Sequence, residues 1–189
     1  AVAKAEGQVD LRPTEAQKEA GNYKKGHLNI KGFDISIENP AGSVRSGVSK
    51  DGTKWSNLMN NTYGYFRRTE GKDGDQVDVF LGDNIDSDAV YIVDQVDPET
   101  GVFDEVKTML GFSNVVDAAN AYLSNYEDGW KGMGNISATD IETFKQWLKD
   151  GDTKKPYKTA GTWTKVYPGV STMVADEGEM PKPEEQTIQ

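Results

Sequence analysis

Glu70, Asp73, Asp75 and Asp78 place four carboxylates within positions 70–78, directly before an apolar run. Carboxylates this close raise one another's pKa and repel, and taking them out of water costs more still. A divalent cation held among three of them removes the repulsion. Strand alternation sharpens the point. Val77, Val79 and Leu81 share one face, so Asp78 points the other way, beside Phe80. Asp73 and Asp75 flank Gly74 in a loop able to swing toward Asp78. The plain alternative is a solvated Asp-Gly-Asp turn. An EF-hand does not fit, because Val77 stands at the third ligand position and no Glu closes the loop.

The surroundings add phosphate chemistry. Arg45, Lys54, Tyr63, Tyr65, Arg67 and Arg68 lie upstream; Asp97, Glu99, Asp104, Glu105 and Lys107 lie downstream. Acids for a metal, with cations and phenols for phosphate oxygens, are the parts phosphoryl transfer requires. Each has a structural alternative. Tyr63 and Tyr65 read equally as packing aromatics, Arg67 and Arg68 as strand-edge charges, and Asp97 with Glu99 as an acidic hairpin tip. His27 reads as a strand residue, and Trp130 and Trp147 as helix packing.

Composition narrows the classes. The 189-residue chain carries a formal net charge of -10, with 28% charged and 35% hydrophobic residues. That balance opposes broad nucleic-acid binding and attachment to an anionic membrane. With no cysteine, disulfides and thiolate metal sites are excluded, and His27 alone cannot build a histidine metal centre. A metal here is hard and oxygen-bound, Mg²⁺ or Mn²⁺. No apolar run is long enough to cross a bilayer. The start at Ala1 reads as a processed or excised piece.

Positioning elements follow from pattern. Thr14, with Gln17 three residues on and Gly21 as a stop, predicts a short helix. Lys31-Gly32 and Asp51-Gly52 predict hairpins. Val77–Leu81, Ala89–Val96 and Val102–Leu110 read as strands. Ser113 or Asn114 caps a helix carrying Val115, Ala119 and Tyr122, and Ser137 with Asp140 predicts the start of another carrying Ile141, Phe144 and Trp147, ended by Gly151. The chain divides into an N-terminal segment (1–21), a central domain (22–151) and an extended C-terminal segment with an acidic tail (152–189).

Tyr63-Gly64-Tyr65 followed by Asp73-Gly74-Asp75-Gln76-Val77-Asp78-Val79 resembles the signature of family I soluble inorganic pyrophosphatases, with Gln76 in place of the usual proline. "IENPAGSVR" (Ile37–Arg45) is similar to the family's Glu-Ile-Pro-x-Gly-Ser opening, Lys54 stands at an arginine's place, Glu105-x-Lys107 resembles its Asp-x-Lys, and "LSNYED" its phosphate-holding tyrosine segment. Gly47 replaces a usual glutamate, and Glu127 a usual lysine for which Lys131 could substitute. The departures resemble a divergent branch associated with phages and mobile elements.

The resemblance implies an α+β fold: a five-stranded OB-like β-barrel core with two C-terminal helices packed outside. It implies Mg²⁺-dependent hydrolysis of pyrophosphate, with Mn²⁺ as a substitute. Asp73, Asp75, Asp78, Glu105 and Asp97 would hold metal, and Asp75 would receive the proton of the attacking water. Arg45, Lys54, Tyr65, Lys107 and Tyr126 would bind phosphate. Two other functions stay open: a silent domain of the same fold in a virion or scaffold, and a hydrolase of a nucleotide diphosphate using Trp55 or Trp163 against a base. Lys154–Pro168 interleaves cations and aromatics, which fits a segment wrapping its own domain or a neighbouring subunit better than nucleic acid. A homo-oligomer or phage protein partners, in bacterial cytoplasm or a virion, complete the expectation.

Overall fold

Tight turns with left-handed residues set the first half of the chain. In the computed structural model, which describes residues 1–159, 163–167 and 170–173, Lys31 (φ 49) and Gly32 (φ 87) fold β1 (Gly26–Ile30) onto β2 (Phe33–Asn39). Two positive φ angles at the turn match the right-handed twist of the strands it joins. Asp51-Gly52 likewise closes β3 (Val44–Val48) onto β4 (Lys54–Leu58), which form a separate two-stranded sheet.

The main sheet is completed by β5 (Thr62–Phe66), β6 (Asp78–Leu81), β7 (Ala89–Val96), β8 (Phe103–Leu110), β9 (Met133–Asp140), β10 (Trp163–Tyr167) and β11 (Val170–Met173). Its order is β1-β2-β5-β6-β8-β7-β9-β11-β10. Gly64 is required where β5 meets β2, since a Cβ there would stand 1.9 Å from the Ser36 carbonyl oxygen. The expected α+β class holds with a mostly sheet core, and among the described residues the strand order is open, with no pairing that returns to close a ring. Alternation reveals which side of a strand is buried, whereas closure depends on non-local pairing at the two ends.

Among the described residues four α-helices accompany the sheet: α1 (Val2–Glu6), α2 (Glu15–Ala20), α3 (Val115–Ser124) and α4 (Ile141–Asp150). Thr14 and Gln17 form the expected capping box on α2, and Asn114 caps α3. The helix start expected at Ser137 is corrected. Ser137 lies buried in β9, paired with Ile92, and the helix begins after Asp140, which accepts from the Thr143 amide at 2.7 Å. The Ser-x-x-Asp spacing resembles a capping box, but the β7 ladder claims those backbone groups first.

Apolar side chains bury both faces of the sheet. Phe33, Phe66, Val79, Leu110 and the α4 residues Phe144 and Trp147 form one cluster. Tyr63, Phe80, Met109 and the α3 residues Ala119 and Tyr122 form the other. Buried Asp94 accepts from the backbone amides of Tyr157 (2.7 Å) and Lys158 (3.2 Å), tying the segment after α4 to β7. The expected acidic tail, 174–189, lies outside the described residues. Among the described residues no helix is long and apolar enough to cross a membrane.

Candidate active site

A cross-strand row assembles the site. Ser36 pairs with Tyr65, Tyr65 with Asp78, and Asp78 with Lys107 across β2, β5, β6 and β8. Directly paired residues share a face of the sheet, so period-two alternation turns Tyr65, Asp78 and Lys107 to the same side. Two residues along their own strands, Tyr63 and Glu105 join them.

Lys107 is the hub. Its Nζ lies 2.6 Å from Asp78 Oδ2 and 2.6 Å from Glu105 Oε1, and it donates to Tyr63 Oη at 2.9 Å. The Lys107 side chain is 3% exposed and those of Asp78 and Glu105 are 17% exposed. Burial alone would lower the Lys107 pKa, but Asp78 foremost, then Tyr63, Tyr126 and Glu105, outweigh it and hold the ammonium well above its usual range. Glu105 is pushed up to about 7: burial is the largest cause, and Asp78 and a hydrogen bond with Asp73 add to it against the pull of Lys107. Burial, then Asp78, pushes the Tyr63 phenol well above its usual range.

The loop before β6 carries the remaining acids. Thr69 pins its ends by donating to the Phe66 carbonyl (2.7 Å) and accepting from the Val77 amide (2.9 Å). Gly74, at φ 86, turns the chain, and Asp73 Oδ1 accepts from the Asp75 amide at 3.0 Å. Asp73 and Asp75 are exposed.

All four acids line one cleft of about 1050 Å³, together with Arg45 and Tyr65. The guanidinium of Arg45 sits 4.7 Å from the centre of the Tyr63 ring. Burial works to lower its pKa, and Tyr63, Asp78, Tyr126 and Glu38 together raise it. Tyr126 stacks on Trp130 with ring centres 4.7 Å apart, close enough to Lys107 and Arg45 to feel both charges.

Two expected site residues are not brought in. Lys54 is exposed at the start of β4, where its charge acts on Glu15. Asp97 caps the β7–β8 turn, its Oδ1 accepting from the amides of Glu99 (2.8 Å) and Thr100 (3.2 Å). Neither lines the cleft. In exchange, Glu38, Tyr23 and Lys25 do line it, and sequence reasoning named none of them. Burial, then Asp78, pushes the Glu38 carboxyl up. A signal for Glu38 was available: it lies two residues beyond Ser36, on the face opposite Ile35 and Ile37.

The donor chemistry fits a hard divalent cation. Asp73, Asp75, Asp78 and Glu105 offer only carboxylate oxygens, and Glu105, raised chiefly by burial and further by Asp78, is a carboxyl whose ionised form a cation would favour. Among the described residues no three of these groups converge on a single point. A common grip therefore requires the Asp73–Asp75 loop to shift and Lys107 to share its two acids.

Comparison with known proteins agrees with this inventory. A family model described as Inorganic Pyrophosphatase matches residues 15–149. That span reaches from α2 into α4 and contains Arg45, Tyr65, Asp73, Asp75, Asp78 and Glu105 of the cleft wall. A solved structure of an inorganic pyrophosphatase from Coxiella burnetii is 19% identical, covering 66% of this chain and 74% of that one, at a TM-score of 0.28. A likeness that low carries no argument about geometry. No curated protein matches the chain.

Proposed function

The chain belongs to the inorganic pyrophosphatase family, and from that premise we propose that it hydrolyses pyrophosphate to two phosphates with Mg²⁺, for which Mn²⁺ can substitute. The observation that carries the reading is the row Tyr65–Asp78–Lys107, which opens into the cleft holding Asp73, Asp75, Glu105 and Arg45.

Asp73, Asp75, Asp78 and Glu105 are the residues that would hold the cations. When bound, such cations neutralise the substrate's charge and make water acidic enough to attack. The remaining work falls to the protein. Asp75, exposed on the cleft wall, takes the proton of the attacking water on a carboxylate oxygen. Arg45 and Lys107 orient the phosphates and stabilise charge on the leaving group, while the hydroxyls of Tyr63, Tyr65 and Tyr126 fix their oxygens. Lys107 is suited to this because its ammonium stays charged although buried. Asp97 and Lys54, outside the cleft, take no part.

The test is phosphate release from pyrophosphate in Mg²⁺ by the wild type and by Asp75→Asn. Loss of turnover by about 100-fold or more is expected in the variant, the usual span for removal of a general base. Equal rates would remove Asp75 from the mechanism. One observation favours a second reading, a silent domain that keeps the cleft: Lys107 already pairs both Asp78 and Glu105. Absence of turnover in the wild type would select it. The departures at Gly47, Gln76 and Glu127 support placement in the divergent phage-associated branch, with work in a bacterial cytoplasm or a virion.

A further inference from the structure

Gly47 and Trp55 face each other across the β3–β4 hairpin. The indole lies so low over Gly47 that a Cβ there would stand 2.6 Å from Cζ2 of Trp55, so only glycine leaves the ring its place. Two residues earlier on the same face of β3, Arg45 holds its guanidinium carbon 5.1 Å from the Trp55 ring centre and 4.7 Å from that of Tyr63. We infer that Trp55 is a positioning residue: its indole, admitted by Gly47, holds the Arg45 guanidinium against Tyr63 so that its N–H groups meet phosphate in the cleft.

The chemistry favours this arrangement. Arginine rides on a flexible stem, and aromatic faces restrain its planar head without consuming its donors. An acid would restrain it too, but would neutralise the charge and occupy the N–H fork that phosphate needs. The resemblance expects a glutamate at position 47. Glycine there, with an indole laid over it, gives Arg45 a ring stack that leaves its N–H groups uncommitted to an acid at that position. It also commits Trp55 to Arg45, which removes the indole as a platform for a nucleotide base.

The inference rests on the phosphate-binding role proposed for Arg45, and a thermodynamic cycle tests it apart from turnover. Inorganic phosphate is titrated calorimetrically, in Mg²⁺, into the wild type, Trp55→Ala, Trp55→Phe, Arg45→Ala and the Arg45→Ala/Trp55→Ala double variant. Trp55→Ala is expected to weaken phosphate about tenfold, Trp55→Phe to stay within about threefold of wild type, and the double variant to match Arg45→Ala alone. Gly47→Ala, which displaces the ring from the other side, should weaken binding in the same direction. Wild-type affinity in Trp55→Ala, or a loss that multiplies with that of Arg45→Ala, overturns the inference, as does a wild type that binds no phosphate. A wild type that binds phosphate but releases none from pyrophosphate breaks the proposed hydrolysis and leaves the cycle intact.

Discussion

The two faces of β6 and β8 have opposite jobs, although their residues alternate along the same few positions. On one face Val79, Leu81, Val106 and Leu110 join Phe33, Phe66 and Phe144 in a dry cluster, with the three phenylalanine rings 5.2–5.8 Å apart. On the other, Asp78, Glu105 and Lys107 lie beside Tyr63 in a nearly buried charge group that opens to the cleft. The first face is filled by contacts that tolerate no void. The second holds two acids against one buried cation, a charge group whose partners a bound metal and an anionic substrate would compete for. One face packs the sheet, and the other carries the charged groups to which the proposed chemistry is assigned.

The largest effect should come from the dry side. Phe144→Ala removes a fully buried ring and should cost about 4 kcal/mol. Chemical denaturation measures this, and turnover per folded molecule should hold. A matching loss of turnover would mean the faces are not separable.

Lys107→Met breaks the charged side. It leaves Asp78 and Glu105 facing each other nearly buried, and the metal-free protein should lose about 3 kcal/mol and its turnover. Adding Mg²⁺ should return more stability to this variant than to the wild type. Equal Mg²⁺ stabilisation of both, seen in paired thermal melts, would detach Lys107 from the metal-holding acids.

A pH series sharpens the contrast further. Because the folded Glu105 pKa is raised from 4.5 to about 7, chiefly by burial, the native state keeps a proton that the unfolded chain has released between those values. Its contribution is complete below the unfolded value and disappears as pH rises through the folded one. In chelator, stability should fall by on the order of 2 kcal/mol from about pH 4.5 to about pH 7, and Glu105→Gln should flatten the curve. A wild-type curve as flat as that of the variant would contradict the buried, proton-holding carboxyl.

The smallest effect belongs to a residue on neither face. Asp97→Ala removes two bonds to turn amides and should cost about 0.5–1 kcal/mol, with turnover unchanged. A drop in metal affinity would restore Asp97 as a ligand.

Local chemistry was legible in the chain; long-range pairing was not. Thr14 with Gln17, Asn114, Lys31-Gly32 and Asp51-Gly52 act within a few residues of themselves, and each does what its spacing implies. Asp78 was readable because alternation decides its side. Ser137 was misread because its strand, Met133–Asp140, has the small and polar composition of a loop and is strand only through its ladder with β7. The open order of the strands was not legible for the same reason, since it is written in no single segment. In the cleft, the acids and Lys107 carried a spacing signature. Glu38, Tyr23 and Lys25 reach it only through the docking of β2 and the N-terminal segment. The Trp55–Gly47 contact depends on register across a hairpin, which the Asp51-Gly52 turn hints at without fixing the ring.

The most direct measurement is the rate of phosphate release from pyrophosphate as Mg²⁺ is titrated from chelator to millimolar levels, in wild type and Asp78→Asn. A rate that is absent in chelator, rises and saturates with Mg²⁺, and disappears in the variant is the predicted result. A wild-type rate of zero at every Mg²⁺ concentration, or one indifferent to Asp78, would contradict the claim that these acids gather to hold a cation for hydrolysis.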